Sequence, residues 1–229
     1  MSSSTQESAE MRCNNDSFSN PSLSAPGQQS NVRIDVTKTG KDYHGHQIKD
    51  KRKGIIRLGF ININSLSKNK STAKYNSIKQ GLAAAEIDIF GLTETNKSWH
   101  LMPPSDTWNE IAKTWWKDSH RVISYNSRDI SSSHLYQPGG TILTTINQYA
   151  HRVQASGVDD SKLGRWTWVS LQGKHDINTT IFSVYCPCKS TQSENTTYSQ
   201  HLRYFNICQR NVCPRTALLE DLKNAIEKF

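Results

Sequence analysis

Two asparagines and one glutamate are the residues of this chain whose types and placement could do chemistry together. Asn62 and Asn64 close an apolar run that begins at Ile55, and Glu94 closes a second that begins at Ile87. A carboxylate beside amide oxygens is a hard-donor set. It suits Mg²⁺ or Mn²⁺, which keep several waters and complete their shells with substrate phosphate. The same residues also suit a plainer role, with Asn62 and Asn64 turning the chain at a strand end and Glu94 capping a neighbouring helix; spacing alone leaves both open. The five cysteines, Cys13, Cys186, Cys188, Cys208 and Cys213, are odd in number and scattered. No pair has Cys-x-x-Cys spacing and no histidine stands at a suitable interval, so they read as free thiols and not as a zinc site or a disulfide framework.

The elements that would position such a site follow from periodicity. Ile55 to Ile63 alternates and is rich in β-branched residues, which predicts a buried strand ending at Asn62. From Ser71 to Glu86, Tyr75, Ile78, Leu82 and Ala85 recur at three- and four-residue spacing, a helix with Ser71 or Thr72 as N-cap. Ile87 to Glu94 is a second short strand. Strand, helix and strand form a βαβ-like unit, and both strands deliver polar residues at their C-terminal ends, where sites in such sheets usually lie. Further strands are predicted at Arg121 to Tyr125, Gly140 to Asn147, Trp166 to Leu171 and Thr179 to Tyr185, the last two as a hairpin over Gln172 to Asn178. Helices are expected at Trp108 to Trp115, Thr197 to Cys208 and from Pro214 onward, where Leu218, Leu219, Leu222, Ile226 and Phe229 read as one apolar stripe.

The chain has 229 residues and a net charge of +8, with 34% hydrophobic residues. Residues 1–31 hold nine Ser and only Phe18 and Leu23 among large aliphatic and aromatic residues, too little apolar surface to offset chain entropy. Residues 1–54 are therefore expected to be a disordered polar leader, ending in the basic run Lys49-Asp-Lys-Arg-Lys53, which could serve as a nuclear import signal. From Ile55 onward 20 basic residues stand against 14 acidic ones, a balance that favours polyanionic partners, nucleic acid above all. Collagen, coiled coil, a membrane-spanning chain and a disulfide miniprotein are all excluded, and an intracellular location follows from the absence of an apolar signal segment.

Arg57-Leu-Gly-Phe-Ile-Asn-Ile-Asn-Ser-Leu66 resembles the opening strand of the endonuclease/exonuclease/phosphatase superfamily, the family of DNase I and the AP endonucleases. Ile87-Asp-Ile-Phe-Gly-Leu-Thr-Glu-Thr-Asn96 resembles its second motif, Asp-Ile-x-x-Leu-Gln-Glu-Thr. Pro138-Gly-Gly-Thr-Ile-Leu is similar to its Gly-rich strand start, and Ile181-Phe-Ser-Val-Tyr-Cys-Pro187 to its strand ending in Tyr-x-Pro. Within the family, Leu163-Gly-Arg-Trp-Thr-Trp and Tyr185-Cys-Pro-Cys-Lys look most like the endonuclease domains of non-LTR retrotransposon polyproteins.

The resemblance implies an α/β fold, a DNase I-like four-layered sandwich of mixed sheets flanked by helices. It implies a Mg²⁺- or Mn²⁺-dependent phosphodiesterase acting on DNA. Glu94 would be the metal-binding carboxylate, Asn62 the amide orienting metal and phosphate, Asn64 a further metal contact, and Tyr185 the phenol touching the scissile phosphate. Ser65 replaces the family's usual Gly, Thr93 its Gln, and Cys188 an Asn found in AP endonucleases, which makes an abasic-site role less fitting than a transposon-type nuclease. The family's Gly-Asp-x-Asn and Ser-Asp-His motifs do not follow Tyr185; Asp118-Ser-His120 and Asp176-Ile-Asn178 are lookalikes in the wrong order. The expectation is thus a domain spanning residues 55–229 that stops before those motifs and is inactive as it stands. The alternatives are a noncatalytic nucleic-acid-binding remnant and a phosphomonoesterase of the same superfamily.

Overall fold

A computed structural model of the chain describes residues 48–66, 73–128, 135–175, 177–190 and 193–229. Most of the expected leader, the N-cap candidates Ser71 and Thr72, and Asp176 lie outside the described residues. The chain divides into two units, Met1–Lys53 and Gly54–Phe229, and the sheets belong to the second. Among the described residues no helix is long and apolar enough to cross a membrane.

Among the described residues, seven strands form two sheets. The first holds β1 (Leu58–Asn62), β2 (Ile89–Thr93), β3 (Ser119–Ser124) and β4 (Thr141–Ile146) in the order β1-β2-β4-β3; the second holds β5 (Val153–Val158), β6 (Trp166–Gln172) and β7 (Asn178–Val184) in chain order. β1 and β2 are parallel, as a βαβ unit requires, with α1 (Ala73–Ala84) between them. All other pairings are antiparallel, including the β6–β7 hairpin.

Alternation along β2 and β4 builds the layers. Phe90, Leu92, Ile142 and Ile146 face α1 and α2 (Trp108–Trp115), where they pack with Tyr75, Ile78, Leu82, Trp108 and Ile111. Ile89 and Leu143 face the other way, onto Val169 and Leu171 of β6. A strand buried on both faces must be apolar at nearly every position, which is why Ile87 to Leu92 reads as a continuous run. Trp108 is fully buried, and its indole N–H donates to Thr144 Oγ1 at 3.0 Å, which satisfies its one donor. Beyond the second sheet lie α3 (Thr197–Ile207) and α4 (Pro214–Ile226), joined through Leu163, Phe205 and Ala217, while Phe229 stacks edge-on against Trp168 of β6 at 4.6 Å. The result is the expected helix–sheet–sheet–helix sandwich.

Three sequence expectations need correction. β1 is not buried: it is the edge of its sheet, and Leu58 and Phe60 are 49% and 52% exposed. Phe60 pairs with Gly91 and shares its inward face, but the second sheet ends at β7 and offers β1 no strand opposite. The α4 stripe is not one buried face either. Pro214, Ala217 and Leu218 are buried, whereas Leu219, Ile226 and Phe229 are exposed, and the acidic Asp221 sits on the inward side bonded to the buried Arg165. β5 was not expected at all, because Gln154, Ala155, Ser156 and Gly157 carry no apolar alternation.

Candidate functional site

The parallel register pairs Asn62 with Thr93, so β1 and β2 leave the sheet side by side. Pairing continues past both strands: Ile63 N–H donates to Thr93 O at 3.1 Å, Ser65 N–H to Glu94 O at 2.7 Å and Leu66 N–H to Thr95 O at 3.0 Å. Four residues on this rim are left-handed, Asn64 (φ 43°), Ser65 (φ 75°), Glu94 (φ 55°) and Asn96 (φ 51°). Each non-glycine residue in that conformation costs roughly 1–2 kcal/mol, and such strain gathers at functional sites. Asn tolerates it best; Ser65, standing where the resembled family has Gly, gains nothing from it. Ser65→Gly is therefore expected to raise unfolding free energy by about 0.5–1 kcal/mol, the relieved strain being partly offset by the greater freedom of unfolded glycine. A lower denaturant midpoint in the Gly variant would show that the Ser65 side chain contributes more than its backbone costs.

Tyr185 reaches the same rim from the second sheet. Its N–H donates to Arg165 O at 2.8 Å, extending the β6–β7 ladder by one residue. Side chains two apart on a strand share a face. Ser183 lies against Gly91 of β2, so Tyr185 points toward the end of β2, where its phenol meets the field of the Glu94 carboxylate. Burial, and then the Glu94 charge, hold the phenol far above the usual tyrosine range, so Tyr185 stays a protonated donor at any working pH. Thr197, the first residue of α3, lies beside the same phenol.

The Pro138-Gly-Gly turn closes the rim on its third side. Asn96 and Gly139 exchange two bonds, Gly139 N–H to Asn96 Oδ1 at 2.7 Å and Asn96 N–H to Gly139 O at 2.9 Å. Gly140 has φ 84° and lies so close to Thr95 that a Cβ would stand 2.6 Å from its hydroxyl, which explains the glycine. One helical turn on from Thr197, Gln200 Oε1 accepts from both Asn126 Nδ2 (2.9 Å) and Gln137 Nε2 (2.8 Å), tying α3 to the end of β3 and to the turn. Thr197, Asn96 and Gln200 carry no motif signal. Only the folded chain brings them to the site.

His201, beside Gln200, is buried and neutral: its Nε2–H donates to Leu163 O at 3.2 Å, while Nδ1 has no partner. Burial, and after it the Arg165 charge, lower its pKa from 6.5 to about 4. The unfolded chain thus takes up a proton that the fold refuses between those values. Stability present above pH 6.5 is lost as pH falls toward 4, by about 3 kcal/mol at 1.36 kcal/mol per unit. Urea titrations at pH 7 and pH 4.5 should show most of this loss, and His201→Gln should flatten it; an equal slope in the variant would assign the acid sensitivity to other groups.

Asn62, Glu94 and Tyr185 therefore share one rim. Asn62 Oδ1 accepts from Asn64 N–H at 3.0 Å, which orients the amide and leaves it a second lone pair. Asn64 is exposed at the turn, and its carbonyl accepts from Lys74 Nζ at 3.0 Å. Among the described residues no group of three or more His, Cys, Asp or Glu converges, so a ligand-rich cage is not built here. One carboxylate with one oriented amide oxygen fits a hard ion that keeps most of its waters. The lookalike His120 is on β3 and pairs instead with Ser156 Oγ at 3.0 Å, while Asn178 begins β7 opposite Gln172.

Fold and rim define an α/β sandwich of two sheets between helices, with a carboxylate, an amide and a phenol where the two sheets end together. No family model and no curated protein matches the sequence. Solved structures similar to it include a 3′ phosphatase, NExo, from Neisseria bound to a product DNA hairpin, at 15% identity over 66% of this chain and 49% of that chain, with a TM-score of 0.40. An AP endonuclease from Archaeoglobus fulgidus matches at 17% identity over 69% of this chain and 52% of that one, TM-score 0.38. An endonuclease/exonuclease/phosphatase family protein from Leptotrichia buccalis matches at 10% identity over 69% and 64%, TM-score 0.39. The chain spans about half the length of the first two.

Proposed function

We propose that the chain carries the metal-binding carboxylate and the phosphate-contacting phenol of a Mg²⁺- or Mn²⁺-dependent DNA phosphodiesterase, of the non-LTR retrotransposon endonuclease type, and that these 229 residues bind DNA without hydrolysing it at an appreciable rate. The observation that carries this reading is the convergence of Tyr185 and Glu94 at the end of β2, next to Asn62 at the end of β1. The order of the four sequence motifs supports it. Glu94 and Asn62 would hold the ion, which supplies positive charge to a phosphate oxygen. Tyr185, held protonated, donates a hydrogen bond to phosphate without needing to titrate. Orienting an attacking water and meeting the charge that builds on phosphate need further groups, and removing even one such donor costs about 10²–10³-fold in rate. The sequence after Tyr185 supplies neither Gly-Asp-x-Asn nor Ser-Asp-His. We place the protein inside the cell, where the run at Lys49–Lys53 would direct it to the nucleus.

A second reading, noncatalytic binding through charge alone, is favoured by the basic balance from Ile55 onward. Supercoiled plasmid nicking and duplex binding across a salt series, with Mg²⁺ or Mn²⁺, separate the readings when wild type is compared with Glu94→Ala. We expect salt-sensitive binding, no nicking at a family-like rate, and a metal-dependent gain in affinity that Glu94→Ala loses. A gain that survives Glu94→Ala would leave charge alone as the explanation. Robust nicking that disappears in Glu94→Ala would overturn the inactivity and keep the site, and release of phosphate from a phosphomonoester would move the activity to the phosphatase branch.

A further inference from the structure

The rim continues sideways past Glu94 along the first sheet. Thr93 pairs with Thr141 and Thr141 with Ser124, so the next row out holds Glu94 after β2, Gly140 before β4 and Tyr125 after β3. The Thr95 N–H, donating to Gly140 O at 3.4 Å, carries the pairing into that row. Tyr125 thus stands two strand spacings from Glu94, about 10 Å. Two glycines fit closely against its main chain: a Cβ at Gly140 would lie 3.8 Å from Tyr125 Cα, and one at Gly164 2.8 Å from it. Its ring packs against the core that includes Trp99 and Ile142. On that ring lies the imidazole of His100, 13° from parallel, with ring centres 5.7 Å apart. The chain runs to His100 from Glu94 through a short segment, pinned where Gly139 N–H donates to Asn96 Oδ1 and where Ser98 N–H donates to Leu135 O at 3.0 Å.

His100 is exposed, and among the described residues its ring makes no hydrogen bond or ion pair, so the stack is what orients it. Near-parallel rings at that spacing are offset, and the outer imidazole face is left to solvent. An open aromatic face beside a phosphate site is a surface on which a nucleobase stacks. In a duplex both faces of each base are taken by its neighbours, so such a surface takes an unpaired base. We propose that His100, backed by Tyr125, stacks against an unpaired base of a DNA strand whose phosphate lies at Glu94 and Asn62. The inference rests on the reading of that rim as a DNA phosphate site and adds a substrate preference to it. Single-stranded, frayed or gapped DNA is favoured over closed duplex, with little regard to sequence, because every base presents a π face. A nucleotide spans an interval of this order, with its sugar between the phosphate and the base.

The test uses the 229-residue chain with Mg²⁺ and two single strands of equal length, one of thymidines and one of abasic sugars. Both offer the same phosphates; only the first offers rings. We expect wild type to bind the thymidine strand at least about fivefold tighter, and His100→Asn to lose that preference with its affinity for the abasic strand unchanged. His100→Phe keeps a ring without a ring nitrogen and should keep the preference. Both variants change an exposed side chain, so their thermal midpoints should match wild type. A single 2-aminopurine set among abasic sugars has no neighbouring base to quench it. Its fluorescence should fall on binding wild type and His100→Phe, and not on binding His100→Asn. Glu94→Ala reports separately on the phosphate, and should lose the metal-dependent gain on both strands while keeping the preference for thymidine. No preference in wild type, a preference lost in His100→Phe, an equal loss on both strands in His100→Asn, or quenching that persists in His100→Asn would overturn the stacking. A metal-dependent gain that survives Glu94→Ala would overturn the rim as the phosphate site, and with it the placement of the base beside Glu94.

Discussion

Arg165→Ala is expected to lower the unfolding free energy by about 3–5 kcal/mol, read as a fall in urea midpoint. Both partners of the Arg165–Asp159 pair are sealed from solvent, at 1% and 0% side-chain exposure. Arg165 Nε donates to Asp159 Oδ2 at 2.7 Å and its terminal nitrogen to Oδ1 at 2.8 Å, a two-pronged grip on one carboxylate. A third hydrogen bond reaches Asp221 of α4 at 2.7 Å, and the guanidinium carbon lies 4.6 Å from the Trp166 ring centre. Removal of Arg165 strands a buried carboxylate. Burial alone pushes Asp159 toward its neutral form, and it is Arg165, aided by Ser161, that holds its pKa below the ordinary value. The variant should therefore take up a proton at Asp159 on folding, and its deficit should shrink as pH is lowered from 7 toward 5. Adding Asp159→Asn should recover part of the loss at pH 7. A deficit under about 1 kcal/mol would mean that water enters to solvate the carboxylate, and that the pair does not organise this end of the second sheet.

Gly164→Ala, one residue earlier, is expected to cost about 2–4 kcal/mol. Gly164 has φ 78°, a conformation that charges any L side chain roughly 1–2 kcal/mol. Its position is also crowded by main chain, which cannot swing aside: a Cβ would stand 2.8 Å from Tyr125 C and Cα and 3.0 Å from Asn126 N. Relief would require the Leu163–Asn126 bridge to open, and forced overpacking adds roughly 1–3 kcal/mol. For a domain of this size the thermal midpoint should fall by roughly 5–15 °C. Because Arg165 O receives the Tyr185 N–H, the same substitution should weaken the Tyr185–Glu94 contact, so near-ultraviolet tyrosine signals should change together with stability. A melting curve unchanged from wild type would refute the crowding.

Elements with one dominant period were legible in the sequence, and those whose burial depends on a distant charge were not. Tyr75, Ile78 and Leu82 announce α1, and Trp108 to Trp115 marks α2 at its observed bounds, because in both the apolar face meets an apolar sheet. α4 was misread for the opposite reason: Asp221 occupies its inward face by virtue of Arg165, fifty-odd residues upstream, and a carboxylate in a helix reads as solvent-facing until its partner is known. β1 shows that composition reports what a strand could bury, not what stands opposite it. At the site, Asn62 and Glu94 were legible because each ends a periodic run. The partnership of Glu94 with Tyr185 and Thr197 depends on how two sheets stack, and local sequence carries no trace of that.

The bare flank of β1 is expected to make recovery of this protein depend on its concentration. Leu58 to Ile63 is six residues without a charge or a proline, rich in β-branched and aromatic side chains, and among the described residues nothing pairs with its outer edge. Such a segment templates a copy of itself. Folding is first order in chain and this pairing is second order, so losses grow with protein density, above all during refolding. Proteins usually guard such a stretch with a flanking cation that repels a second copy. Here that cation is Arg57, and its guanidinium is already spoken for, donating to Ala85 O at 2.9 Å and to Glu86 at 3.2 Å.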